Sequence, residues 1–386
     1  MSEEERHGLL RHLYATIFIT STALGTVAFL TPVYAEGIGA TYLDLGVIGA
    51  TGNAVYAAAT FLSGFLLDRV ERVRFYTVNA LLSAAVILAL SFTTRVPEVV
   101  LVRGLVGAVS AGFWVGASTL TADISPPEVL TRSVGRYNIS WVVGFVVGPV
   151  LGGAISDHYG FPNLFRVLAI LALTSFFVIA ARLRGRITLR GSSEGGRFDL
   201  GGMRGLLGAY LVIVPYAFIL GIYMAIIPGH MKQLGISSSV IGLLLSVTNG
   251  VRGSAFLGVE RLVGWGTRKA LALASVLMCA ALFLVSLQET AFGFLIPLAL
   301  YGLAGGIITP VVLDYIAHRT PRESLGAAMG AHEGIYGLGM CLGPMIGGAV
   351  AEAHGPSTLY LLLAAVSLVM LPLCLGLRPT RLNESL

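Results

Sequence analysis

Long apolar runs separated by short polar loops dominate this chain. Runs of about 20 residues begin near positions 13, 45, 75, 97, 137, 164, 206, 239, 270, 292, 326 and 359. A helix rises about 1.5 Å per residue, so roughly 20 apolar residues cross the hydrocarbon layer of a bilayer. The pattern predicts an all-α polytopic membrane protein with twelve transmembrane helices. The first run, Leu13 to Ala35, ends in Val33-Tyr34-Ala35, which looks like a cleavage site. It is too long for a signal-peptide core of roughly 7–15 residues and reads as a retained helix.

Composition supports this. Of 386 residues 55% are hydrophobic and 12% charged, against about 25% charged in a soluble domain. The net charge of +5 is carried by arginine in the loops. Nucleic-acid binding needs a basic face on a folded domain; arginines placed this way set membrane orientation instead. Twenty Arg and Lys residues fall at the termini and in the even-numbered loops, and only Arg95, Arg166 and Lys232 fall on the other side. Both termini are therefore expected in the cytoplasm, with the chain in a plasma or inner membrane.

Several chemistries drop out. Neither Lys232 nor Lys269 sits in a GxxxxGK[ST] loop, so ATP is not hydrolysed on a P-loop here. Cys279, Cys341 and Cys374 lie inside apolar runs, without disulfide or metal spacing. His332-Glu333 begins a zinc-like HExxH, but Tyr336 stands where the second His belongs. Gly191-Ser192-Ser193-Glu194-Gly195 matches a nucleophile elbow with no strand before it. No enzyme activity, metal or cofactor is expected.

The chain repeats itself. Gly135, Gly144, Gly148-Pro149 and Gly152-Gly153 recur as Gly330, Gly339, Gly343-Pro344 and Gly347-Gly348, each shifted by 195. Gly160 recurs as Gly355 at the same offset, and Val47-Ile48-Gly49 as Val240-Ile241-Gly242 at 193. Six helices per copy make both copies enter the membrane from one side, a parallel repeat. Glycines four residues apart clear one helix face for close packing. The expected organisation is a six-helix bundle over 1–181, an Arg-rich cytoplasmic linker over 182–205, and a second bundle over 206–386.

At this point the sequence resembles the major facilitator superfamily along its whole length. Gly64, Asp68, Arg69 and Arg72 follow the family's loop signature G-x-x-x-D-R-x-G-R, with Glu71 where that signature has Gly. Arg103 with Gly104 and Gly107 resembles its buried-Arg signature, and the Gly135–Gly153 series resembles the one associated with its antiporters. The resemblance implies a monomer with a central cavity opened alternately to each side. It also implies that Asp68, Arg69 and Arg72 form a cytoplasmic latch with Asp123, opposite charges holding one conformation at a low-dielectric helix end.

Ionisable groups inside a spanning helix are functional candidates. Arg103, Arg252, Asp314 and Glu333 are such groups, with Glu36 near a helix end. Glu333 lies about 10 Å into the eleventh helix, and its repeat equivalent is Asn138; His332 and Tyr336 correspond to Tyr137 and Trp141. Tyr137, Asn138, Trp141, His332 and Tyr336, with Asn53 and Arg252, are the expected substrate-cavity residues. Glu333, Asp314, Glu36 and Arg103 are the expected proton-coupling set, with Glu36 neutralising Arg103. Glu333 reads as a proton carrier, as a static ion pair with Arg252, or as an exposed helix-end residue. The expected function is proton-coupled antiport of a small, mostly apolar or cationic compound. The alternatives are a symporter or facilitator for a sugar, organic acid or nucleoside, and a non-transporting membrane receptor or assembly partner.

Overall fold

The computed structural model describes residues 3–183, 204–256, 258–321 and 324–377. Most of the expected linker over 182–205 lies outside them. The long helices are α1 (Glu3–Gly37), α2 (Tyr42–Leu67), α3 (Arg72–Leu90), α4 (Val96–Ile124), α5 (Leu130–Tyr159) and α6 (Phe161–Arg182). They continue with α7 (Leu207–Ala225), α8 (Ser238–Phe256), α9 (Thr267–Val285), α10 (Leu295–Arg319), α11 (Leu325–His354) and α12 (Pro356–Leu375). Short helices Ile227–Gln233 and Val259–Gly264 follow α7 and α8. Among the described residues 11 helices are long and apolar enough to cross a membrane. The remaining long helix is α8, diluted by Ser238, Ser239, Ser246, Thr248, Asn249, Arg252 and Ser254.

The chain divides into two compact units. The first takes residues 1–40, 51–193 and 237–246; the second takes 41–50, 194–236 and 247–386. In the first, α1 packs most extensively on α5, and α3 on α6 and α4. In the second, α7 packs on α11, and α9 on α10 and α12. The pairings are the same once six is added to each helix number. The innermost helices are equivalent too: 72% of the most apolar window of α1 is buried, and 78% in α7 with its continuation. Thr22, Thr26 and Thr31 of α1 return their hydroxyls to their own helix, at Phe18 O, Thr22 O and Val27 O, while Thr20 donates to Ser175 Oγ of α6. The unit thus satisfies them without water.

The duplicated glycines do what their spacing predicts, with one exception. A Cβ on Gly148 would lie 2.5 Å from Thr26 Oγ1 and 2.6 Å from the Thr22 carbonyl of α1. One on Gly339 would lie 2.7 Å from Ala217 Cβ, and one on Gly347 2.7 Å from Ile222 Cγ1, both on α7. Gly144 meets the Ser21 hydroxyl and the Phe18 and Thr22 backbone, Gly343 the Phe218 backbone, and Gly152 Thr26 and Leu30. The exception is the first member of each series: Gly135 and Gly330 have nothing within 4 Å. They lie in the opening turns, where no neighbour reaches them, and are not packing residues.

Gly160 and Gly355, between α5 and α6 and between α11 and α12, take φ +81° and +83°. Only glycine adopts this backbone without strain. The offset of 193 for the second and eighth helices is corrected by the contacts. Gly242 rests on the Pro149 carbonyl and Gly46 on the Pro344 carbonyl, so these two glycines are equivalent, 196 apart. The apparent Val-Ile-Gly match is out of register by about one helical turn.

Candidate functional site

In the first unit the cavity candidates of α5 sit beside an aromatic cluster. Trp141 Nε1 donates to Asn138 Oδ1 at 3.0 Å. Its ring meets Trp114 and Phe145 edge-on at 5.9 and 5.6 Å. Tyr137 on α5 and Asn53 on α2 are both half-buried. Arg103 lies over the Gly52 backbone of α2, where a Cβ would approach its Cζ to 3.0 Å. The expected neutralisation of Arg103 by Glu36 is not formed: among the described residues Arg103 has no ion pair. A glycine under its guanidinium makes room for it where a carboxylate was expected.

The second unit gathers polar groups on α7, α8, α10 and α11. Tyr336 stacks on His332 at 5.9 Å and tilts against Tyr216 at 6.2 Å. Arg252 lies within electrostatic reach of Tyr216, Tyr301 and Tyr336, and its guanidinium donates to the Tyr336 hydroxyl. Tyr301 stacks on Tyr223 at 4.3 Å. The α8 backbone approaches α10 at Gly306, where a Cβ would lie 2.6 Å from the Arg252 carbonyl.

The static Glu333–Arg252 pair is absent. Glu333 keeps 64% of its side chain exposed and bonds His332 Nδ1 at 3.3 Å. No acid pairs with Arg252 among the described residues. Asp314 sits near the end of α10 with 27% of its side chain exposed, 3.2 Å from His318 one turn on.

Of the four residues expected to form the latch, only Arg72 and Asp123 pair among the described residues. Arg72 Nη1 holds both oxygens of Asp123 at 2.5 Å. Arg69 instead lies 3.5 Å over the ring of Phe65. Asp68 is exposed and forms no ion pair among the described residues, and Gly64 has open space at its Cβ position. Glu71 explains its own departure from the signature. Its φ of −66° needs no glycine, and its carboxylate caps α3 by accepting from Val73 N and Arg74 N at 2.9 and 2.7 Å.

Sequence reasoning overlooked Asp157 and Glu352. Asp157 accepts from Ser238 N and Ser239 N at 3.0 and 2.7 Å, capping α8. Glu352 accepts from Tyr42 N and Leu43 N at 2.9 and 3.4 Å, capping α2. They are 195 apart, so the repeat itself carried the signal. An acid in the last turn of its own helix is also unfavourable against the helix dipole, which calls for an outside partner. A cavity of about 840 Å³ at the starts of α1 and α5 is lined by Glu4, His7, Arg11, Tyr14, Arg132 and Arg136 among others, and by none of the candidates above.

The repeat, the helix pairing and the loop chemistry agree with comparison to known proteins. The sequence profile of the Major Facilitator Superfamily matches residues 13–204 and 209–385. The chain belongs to this superfamily. An uncharacterized MFS-type transporter of Methanocaldococcus jannaschii is 22% identical over 367 residues, 93% of this chain and 95% of that protein. Multidrug resistance protein MdtG of Salmonella paratyphi A is 25% identical over 372 residues, covering 91% and 90%. The crystal structure of the nucleoside transporter NupG superposes with a TM-score of 0.81 at 13% identity, covering 96% and 99%, which establishes the shared fold. This superfamily member is a multi-pass membrane transporter.

Proposed function

We propose that this transporter exports a small organic compound in exchange for protons by alternating access, with Glu333 as the proton site. The observation that carries this is the state of Glu333. It is a carboxylate well inside a spanning helix, not consumed by Arg252, and bonded to His332 alone among the described residues. An acid so placed can take a proton from one side and release it to the other. MdtG is named for multidrug resistance, and similarity to it along the chain supports export. The parallel repeat supports alternation between two bundles. Asp314, tied to His318, is the second acid, and the inner membrane with cytoplasmic termini is the location that the arginine distribution supports.

One observation favours a second reading, movement of an organic acid together with protons. Arg252 lacks an acid partner, and an anion bound there and a proton on Glu333 favour each other by charge balance. Proteoliposomes under an imposed pH gradient separate the two. Exchange predicts that substrate accumulates on the acidic side, and co-movement on the alkaline side. Transport that ignores the gradient rejects both.

A further inference from the structure

Arginine brings five N–H donors and a charge that no membrane-spanning segment tolerates without partners. In the second unit Arg252 meets tyrosines rather than carboxylates. Its neighbours Tyr216, Tyr301 and Tyr336 come from α7, α10 and α11, so three helices converge on it. The cluster is under-satisfied in a consistent way. Arg252 Nε, the Tyr301 hydroxyl and His332 Nε2 are all enclosed and without a hydrogen-bond partner in the structure. His332 and Tyr301 are 1% and 3% exposed. Buried polar groups are nearly always paired, so three orphans in one cluster call for an explanation. Two of these three atoms are obligate or ready donors, and the third becomes one when the His332 ring is protonated or when a protonated Glu333 donates to its Nδ1. A guanidinium bonded to the Tyr336 hydroxyl, with His332 stacked on that ring at 5.9 Å, is the complement of a planar, acceptor-only group.

We infer that Arg252, with Tyr336, Tyr301 and His332, binds the carboxylate, or an equivalent acidic group, of the transported compound. The tyrosine rings supply flat apolar walls beside the charge, which suits an acid carried on an aromatic or aliphatic body. Unit 1 has no such group at the equivalent position: Trp141 stands where Tyr336 does, and its indole donates to Asn138. The acid-binding subsite therefore belongs to the second unit. The inference rests on transport, which both readings above share, and not on the sign of proton coupling.

The test uses the purified full chain and a panel of aromatic and aliphatic carboxylic acids, each paired with its methyl ester. Ligand-induced thermal shift is measured as a function of concentration, and exchange of the same compounds is followed in proteoliposomes. For at least one pair the acid should stabilise the wild type at about tenfold or more lower concentration than its ester. Arg252→Gln should erase that difference, Arg252→Lys should retain part of it, and Tyr336→Phe, which keeps the ring, should weaken the acid alone. Esters that match their acids throughout, or a preference for acids that survives in Arg252→Gln, would overturn the site. Exchange of esters without preference for acids overturns the subsite and leaves transport standing. Acids that stabilise the wild type but not Arg252→Gln, with no exchange of any compound, support the subsite and sink the transport mechanism instead. If Arg252→Gln does not fold, the Tyr336→Phe comparison decides.

Discussion

Glu333 and Glu71 are both acids in unexpected places, and their surroundings give them different work. Glu333 stands on α11 with its carboxylate against His332 and most of its surface open. Replacing it with Gln should abolish pH-driven transport while leaving substrate exchange intact, because the amide resembles the protonated acid. Its melting temperature should not change. Breaking a buried ion pair costs about 3–5 kcal/mol, and no such pair with Arg252 exists to be broken. A large drop in melting temperature, rescued by Arg252→Gln, would return Glu333 to a structural role. Glu71 replaces a signature glycine and caps α3 through two amides. Glu71→Ala should therefore cost about 0.5–2 kcal/mol of local stability. Faster hydrogen exchange at Val73 and Arg74, with the rest of α3 unchanged, is the expected readout.

Among elements, α5 and α11 carry the repeat most clearly. Gly148→Leu and Gly343→Leu should each destabilise by about 1–3 kcal/mol through overpacking against α1 and α7. Gly135→Leu and Gly330→Leu should be silent, because both positions are open. Thermal melts of the four variants test this as a set, and equal effects across all four would show that the helix pairing is wrong. The sequence allowed this packing to be read because glycine spacing and prolines survive as a literal pattern. It did not show where the packing begins, since Gly135 and Gly330 look like their neighbours until the partner helix is in place. The second and eighth helices show a different failure. Three matching letters, Val-Ile-Gly, suggested an offset of 193, while the backbone contacts of Gly46 and Gly242 set it at 196. Side-chain pairs fared worst. Arg103 and Arg252 were read as needing acids, and a sequence cannot show that one rests on glycine and the other among tyrosines.

For the whole molecule, acids at the two ends of the same helices bear on the transport cycle. Asp68 follows the end of α2, whereas Glu352 holds the start of α2 and Asp157 the start of α8. The first turns of α2 and α8 also cluster with the unit built mainly from the other half of the sequence. Each cap thus ties a helix start to an acid from that other half, and the tie is a pair of charge-assisted hydrogen bonds to backbone amides. At the opposite end Asp68 forms no ion pair among the described residues, while Arg72 is held by Asp123. If alternation exchanges ties at one end for ties at the other, weakening the two ends must push the equilibrium in opposite directions. Asp157→Asn with Glu352→Gln should favour the conformation in which the starts of α2 and α8 are released. Asp68→Asn should favour the conformation in which they are held, and both variants should lower turnover without unfolding the protein. Distances between spin labels at the two ends of α2 and α11 report the populations. Shifts of the same sign in both variants, or unchanged distributions with normal transport, would reduce these acids to helix caps and topology signals. Restoring turnover by combining the two sets of substitutions would be the strongest support, because only a shared equilibrium lets one defect offset the other.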